Sequence, residues 1–231
     1  MMHPGHSLPD NPFWNSLCTT HQSFAIGTEL IKKFPEDILP FMGLESNNGE
    51  LLEEIRPFFN PNEEAFIKAD VKSIPGNWSV VNRISCIQMI CDRLPSGLTE
   101  CSENIEMLGP ADLDELYRLV NLVQPGFLRE KTHLLGDYYG IRKNGKLLAT
   151  AGERLKMDGF IELSAVCTLP EHTGKGYAQQ LMRKVCKGIF EKGQLPILHV
   201  LDSNVRAIKL YEMFNFRKRM DFPLVKLRIN T

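Results

Sequence analysis

The chain has 231 residues, with 27 Lys+Arg against 28 Asp+Glu and a net charge of -1. That length allows one large or two small domains with a real core, and the charge balance argues against nucleic acid or an anionic membrane as the main partner. Pro4, Pro9 and Pro12 interrupt the first thirty residues, and no stretch approaches the length of a membrane span, so neither a leader nor a span is expected. The six cysteines (Cys18, Cys86, Cys91, Cys101, Cys167 and Cys186) show no CxxC pair and no metal spacing. Free thiols in a reducing cytoplasm and no bound metal are the expectation.

In chain order, Phe13 to Thr20, Phe24 to Phe34 and Ile38 to Leu44 read as strands, and Gly49 to Phe58 as a helix. Glu64 to Ala69 and Ser79 to Met89 read as further strands, and Pro95 to Glu103, with Cys101 in a polar turn, as a linker. Gly109-Pro110 then opens an amphipathic helix carrying Leu113, Leu116, Val120 and Val123. Strands follow at Tyr138 to Arg142, Leu147 to Leu155 and Phe160 to Thr168, separated by the Asn144-Gly145 and Asp158-Gly159 turns. Ala178, Leu181, Met182, Val185 and Ile189 share one face of a helix that closes at Gly193. Leu195 to Leu201 is a buried strand, Val205 to Phe214 a helix, and Val225, Leu227 and Ile229 alternate as in a closing strand.

The most informative stretch is V-C-T-L-P-E-H-T-G-K-G-Y-A-Q-Q-L from Val166 to Leu181. A strand stops at Pro170, and Gly174-Lys175-Gly176 opens directly into a helix. Small residues there let a ligand approach the unpaired amides of the first turn, which favours a phosphate or pyrophosphate. A Walker A loop is excluded because Gly176, not Ser or Thr, follows Lys175. A dinucleotide fingerprint is excluded because Gln179 sits where the third glycine belongs.

A third design fits. Thr173-x-x-Gly176-x-Ala178 resembles the acetyl-CoA loop of the GNAT N-acetyltransferases, Arg/Gln-x-x-Gly-x-Gly/Ala, with Thr173 replacing the first residue. Downstream, Leu198-His199-Val200 and Asn204-x-x-Ala207-x-x-Leu210-Tyr211, followed by Asn215-Phe216, resemble the second GNAT signature. Asn204 and Tyr211 lie two helical turns apart, so they share a face with Ala207 between them. The resemblance covers about Ser102 to Ile229 and is nearest to the short-signature branch related to the C-terminal domain of glycine N-acyltransferase.

The resemblance implies an α/β (α+β) GNAT fold, with a mixed, mostly antiparallel sheet flanked by helices. Residues 102–231 would form the catalytic domain. Residues 1–101 would form an α+β domain, either a degenerate GNAT-like half, whose three strands, helix and further strands echo the second half without a glycine loop, or an unrelated α+β cap. The implied function is acetyl-CoA-dependent N-acetyl transfer, directly to a primary amine of a small molecule, amino acid or peptide. A non-catalytic CoA-binding regulatory module is the alternative. Cofactor contacts are implied for Val166, Cys167, Thr168, Thr173, Gly174, Lys175, Gly176, Tyr177, Ala178, Asn204 and Ala207, and Tyr211 is implied as the general acid.

For the base, period-two alternation puts Glu162, Ser164 and Val166 on one face. A hairpin about Asp158-Gly159 sets Leu155 opposite Glu162 and makes Glu153 its diagonal neighbour on that face. Two nearby carboxylates raise the pKa of one, which suits a base, so Glu162 and then Glu153 are the candidates. His172 in the loop and His199 in a buried strand are read as structural. Alternation turns Cys167 away from the Glu162 face, which argues against a covalent acetyl-cysteine route.

Overall fold

The computed structural model describes residues 8–95 and 102–230, so most of the expected linker, with Cys101, lies outside the described residues. The first half runs through helix α1 (Pro12–Cys18), strands β1 (Ile26–Gly27), β2 (Ile31–Lys33) and β3 (Met42–Leu44), and helix α2 (Leu52–Ile55) between two 3-10 turns. Strands β4 (Glu64–Lys68), β5 (Trp78–Ile84) and β6 (Cys86–Cys91) follow. The second half contains β7 (Ile105–Met107), α3 (Leu113–Val123), β8 (Tyr138–Lys143), β9 (Lys146–Met157), β10 (Phe160–Thr168), α4 (Tyr177–Glu191), β11 (Leu195–Leu201), α5 (Val205–Met213), β12 (Phe216–Asp221) and β13 (Leu224–Ile229).

Four expected strands differ: Ile38 to Leu44 is a strand only from Met42, Ser79 to Met89 splits at Ser85 into β5 and β6, and two others change more. Phe13 to Thr20 is mostly the helix α1, because Asn11 accepts from the Trp14 N–H, Pro12 sits in the first turn, and Phe13 and Leu17 bury one helical face. Phe24 to Phe34 breaks into β1 and β2 at Gly27. A Cβ there would lie 2.3 Å from the Ile31 carbonyl oxygen, and φ is +139°. The Thr28 hydroxyl closes the turn by accepting from the Leu30 and Ile31 amides.

The largest sheet has the order β12-β6-β11-β10-β9-β8-β7, with β10 and β11 parallel and the other pairs antiparallel. This is the mixed, mostly antiparallel sheet with flanking helices that the resemblance implied. Two smaller sheets, β1-β2-β3 and β4-β13-β5, are linked by a parallel bridge between Phe41 and Phe66. The resulting order β1-β2-β3-β4-β13-β5 repeats that of β8-β9-β10-β11-β6-β12. Helix α2 lies between β3 and β4 as α4 lies between β10 and β11.

Each half lends the other a strand. β6, all six residues buried, leaves the first half and inserts between β11 and β12. β13, expected to close the second half's sheet, instead inserts between β4 and β5. The division at residue 101 therefore does not separate two self-contained sheets. Where the halves meet, Phe13, Phe41 and Phe222 pack with Leu155, Phe160 and Ile197 in one apolar cluster. Burial of each such side chain contributes about 1.5–3 kcal/mol, so the exchange is anchored by packing as well as by ladders.

Candidate active site

The site begins where two strands part. β10 is in register with β11 only at Phe160, Ile161 and Glu162. Beyond Glu162, β11 stays paired with β6 on its other side, whereas β10 bends away. The bend is a β-bulge in which Ala165 and Val166 together face Ala151, and Ala165 takes φ +52°. Ser164, Ala165 and Val166 consequently all line the opening, together with His199, Val200 and Leu201 of β11.

At the outer end of β10 the glycine loop forms one wall of a cleft of about 460 Å³. Gly174 and Gly176 take φ +79° and +77°, and Gly176 stands at the N-cap position of α4. That left-handed conformation is why glycine is needed, since a Cβ on Gly176 would meet only Gln179 Oε1, at 3.4 Å. Val166, Thr168, Thr173, Gly174, Gly176, Tyr177 and Ala178 line the cleft, with Asn204, Ala207 and Tyr211 from the facing helix α5.

Two loop-region expectations place differently. Lys175 belongs to the loop, but its Nζ turns to His172 Nδ1 at 3.2 Å and the residue does not line the cleft. Cys167 is buried in the core on the far side of β10, where burial pushes its thiol up to about 12. Any contact of these two with a ligand in the cleft falls to their backbone.

Asn204 caps α5, its Oδ1 accepting from the Ala207 N–H at 3.1 Å, so it serves the helix while facing the cleft. Tyr211 is 7% exposed, and its hydroxyl hydrogen-bonds no described residue. Burial raises its pKa, so it keeps its proton near neutrality.

A second cavity of about 360 Å³ continues inward from the first and shares Val123, Gln124, Val166, Asn204 and Tyr211 with it. Its walls are mainly apolar, with Phe13 and Phe41 from the first half and Val120, Phe127 and Leu128 from α3 and the segment after it. Both halves of the chain therefore build it. Its charged lining residue is Arg154 of β9.

Glu162, expected as base, is fully buried and does not line either cavity. Arg154 Nε and Nη2 donate to its two carboxylate oxygens, each at 2.8 Å, and His199 Nδ1 donates to Oε1 at 2.7 Å. Burial would raise the Glu162 pKa, but the Arg154 charge and these hydrogen bonds outweigh it and hold the carboxyl well below the usual carboxylate range. Such a group is a weak proton acceptor. On the far side of His199, Gln88 takes a hydrogen bond from Arg219 Nη1 on Oε1, so its amide nitrogen faces His199 Nε2 at 2.9 Å. That assigns the acceptor role to Nε2 and the proton to Nδ1.

Glu153 is not the neighbour of Glu162. Ile161 pairs with Lys156 and Leu163 with Glu153, so Arg154 and Leu155 together face Glu162 across a second bulge. The extra residue turns Arg154 toward Glu162 and Glu153 to the opposite face, where Lys192 at the end of α4 meets it at 2.6 Å. No Asp or Glu lines either cavity among the described residues. Sequence reasoning missed Arg154, although opposite charges on the two arms of one hairpin were a usable signal. Nothing in the sequence pointed to Phe13 and Phe41.

Among the described residues no cluster of three or more His, Cys, Asp or Glu is arranged to hold a metal ion, and no helix is long and apolar enough to cross a membrane.

Comparison with known proteins agrees with the geometry. The family model described as FR47-like protein matches residues 138–224. A solved structure from the GNAT family, from Novosphingobium aromaticivorans DSM 12444, is 29% identical, covers 100% of both chains and superposes with a TM-score of 0.86. A GCN5-related N-acetyltransferase from Kribbella flavida is 16% identical, covers 100% of this chain and 97% of its own, and has a TM-score of 0.64. No curated protein matches the chain. The glycine loop at the head of α4, the parted strands β10 and β11, the FR47-like match and a full-length structural likeness agree, and together they support a GNAT-superfamily acetyltransferase.

Proposed function

We propose that the protein transfers an acetyl group from acetyl-CoA to a primary amine, directly and within a ternary complex. The observation that carries this reading is the meeting of two cavities at Val166, Asn204 and Tyr211, one headed by a glycine-lined helix N-terminus and the other largely apolar. The first suits the pyrophosphate and pantetheine of CoA, through the amides from Thr173 to Ala178 and the backbone of the parted strand at Val166 to Thr168. The second suits the amine.

Bound acetyl-CoA supplies the acetyl group as a thioester, which the amine nitrogen takes over as the sulfur leaves. Backbone donors of the Ala165–Val166 bulge are suited to the oxyanion that develops, a contribution of a few kcal/mol in comparable sites, roughly 3 for one donor. The Tyr211 hydroxyl is free to give its proton to the leaving sulfur and to recover one from solvent. With no carboxylate on either cavity wall, the amine proton leaves through water. An apolar cavity beside the Arg154 cation disfavours the ammonium form and so supplies neutral amine without a dedicated base.

The test is release of CoA thiol from acetyl-CoA across a panel of amino acids, polyamines, aminoglycosides and peptides. Amine-dependent release with a matching acetylated product is expected. Tight CoA binding with no turnover on any amine would overturn the enzyme reading and leave a CoA-binding regulatory module.

A further inference from the structure

The inner cavity has one charged group in an apolar lining, and that group has donors to spare. Arg154 is 8% exposed. Its guanidinium carries five N–H donors in a rigid fork, and Glu162 engages Nε and Nη2. No described residue hydrogen-bonds Nη1, and Arg154 lines the cavity beside Phe41, whose ring centroid lies 5.2 Å from the guanidinium carbon. A guanidinium that lines an apolar cavity hydrogen-bonds more strongly than one in bulk water, so the cavity favours a ligand that brings an oxygen acceptor to this point.

Resting on the acetyl-transfer reading above, we propose that the acceptor is an α-amino acid with an apolar side chain, its carboxylate held by Arg154 Nη1. An arginine fork and a carboxylate form the strongest hydrogen-bonded match available to such a donor. In an α-amino acid the amine and the carboxylate share one carbon. The amine then faces the junction at Val166 and Tyr211 while the carboxylate stays on the Arg154 wall of the same cavity. Phe13, Phe127 and Leu128 leave an apolar surface for the side chain. Glu162 and His199 are positioning residues: they lock the fork so that Nη1 points into the cavity. The other occupant that suits an apolar cavity, a long acyl chain on CoA, offers nothing to the guanidinium.

The test compares phenylalanine and leucine with their carboxylate-free counterparts, 2-phenylethylamine and isoamylamine, as acceptors for the full chain with acetyl-CoA. The acids should exceed the amines in kcat/KM by about 10- to 100-fold, the worth of one hydrogen bond to a charged group. Arg154→Lys keeps a cation for Glu162 but removes Nη1. It should raise KM for the acids by a similar factor and collapse the preference, with KM for acetyl-CoA little changed. Equal use of acids and amines by the unmodified protein, which needs no variant to fold, would overturn the assignment and leave acetyl transfer standing. So would an Arg154→Lys protein that keeps its preference, or one that changes only the preferred acyl-chain length. Failure of every amine to be acetylated would instead overturn the transfer reading itself.

Discussion

Tyr211 and Glu162 are both buried, and burial raises the pKa of each, but only at Tyr211 does it decide the outcome. For Tyr211 burial, with a smaller contribution from Cys167, raises the pKa and keeps the hydroxyl protonated next to the junction of the cavities. Tyr211→Phe retains the ring and its packing against Phe216 but removes the proton, so kcat should fall by about 10²–10⁴. KM for acetyl-CoA should change little, and steady-state kinetics with a chemistry-limited acceptor would show both. For Glu162 the Arg154 charge prevails over burial, which makes the carboxylate a counter-ion to Arg154 and a poor proton acceptor. Glu162→Gln leaves the Arg154 cation without its partner and should cost about 3–5 kcal/mol of stability in urea unfolding. Because its folded pKa lies below its ordinary value of 4.5, the pair's contribution is complete above that value and is lost as the pH falls further. The Gln variant should lose this acid sensitivity while the pH–rate profile keeps its shape. Loss of the acidic limb of that profile at unchanged stability would make Glu162 the base after all.

Among the elements, α4 and the bulged β10 matter most to the site. The head of α4 offers unpaired amides and a positive dipole end, and Gly176 supplies the left-handed turn into it. Gly176→Asp strains this left-handed turn, but Asp enters that region more readily than most residues and its Cβ has room there, so the fold should be kept. Its negative charge would sit where a pyrophosphate is proposed. CoA affinity, measured by calorimetry, should be lost while the circular dichroism spectrum is retained, and unchanged affinity would remove the loop from the site. The loop and the α5 face were legible in sequence because both rest on short-range spacing. The bulges were not, and they decided which carboxylate faces what. One inserted residue in a strand exchanges its faces, so alternation counted across it gave Glu153 the wrong side.

For the whole molecule, the exchange of β6 and β13 makes the halves interdependent. A fragment of residues 102–231 contains both signatures yet lacks β6, an inner strand of its sheet. Removing it would expose the edges of β11 and β12 and the apolar faces that β6 covers. The fragment should be insoluble or fail to unfold cooperatively, as sedimentation and thermal melts would show. A soluble, cooperatively folding fragment would mean that the sheet closes without its borrowed strand. The same exchange brings Phe13 and Phe41 to the inner cavity, so the first half shapes the space proposed for the acceptor.

By itself the sequence determined the elements from α3 to α5 and β13, though not the strands β7 and β12, as well as the glycine-led entry to α4 and the shared face of Asn204, Ala207 and Tyr211. Each depends on residues a few positions apart, where helix and strand periods and turn chemistry dominate. Only the tertiary structure decided that β6 and β13 change places, that Arg154 and His199 lock Glu162, and that the first half walls the inner cavity. Those contacts join residues far apart in the chain, and long-range packing with local bulges, on which a single-residue slip turns a side chain from cavity to core, leaves no periodic mark in sequence.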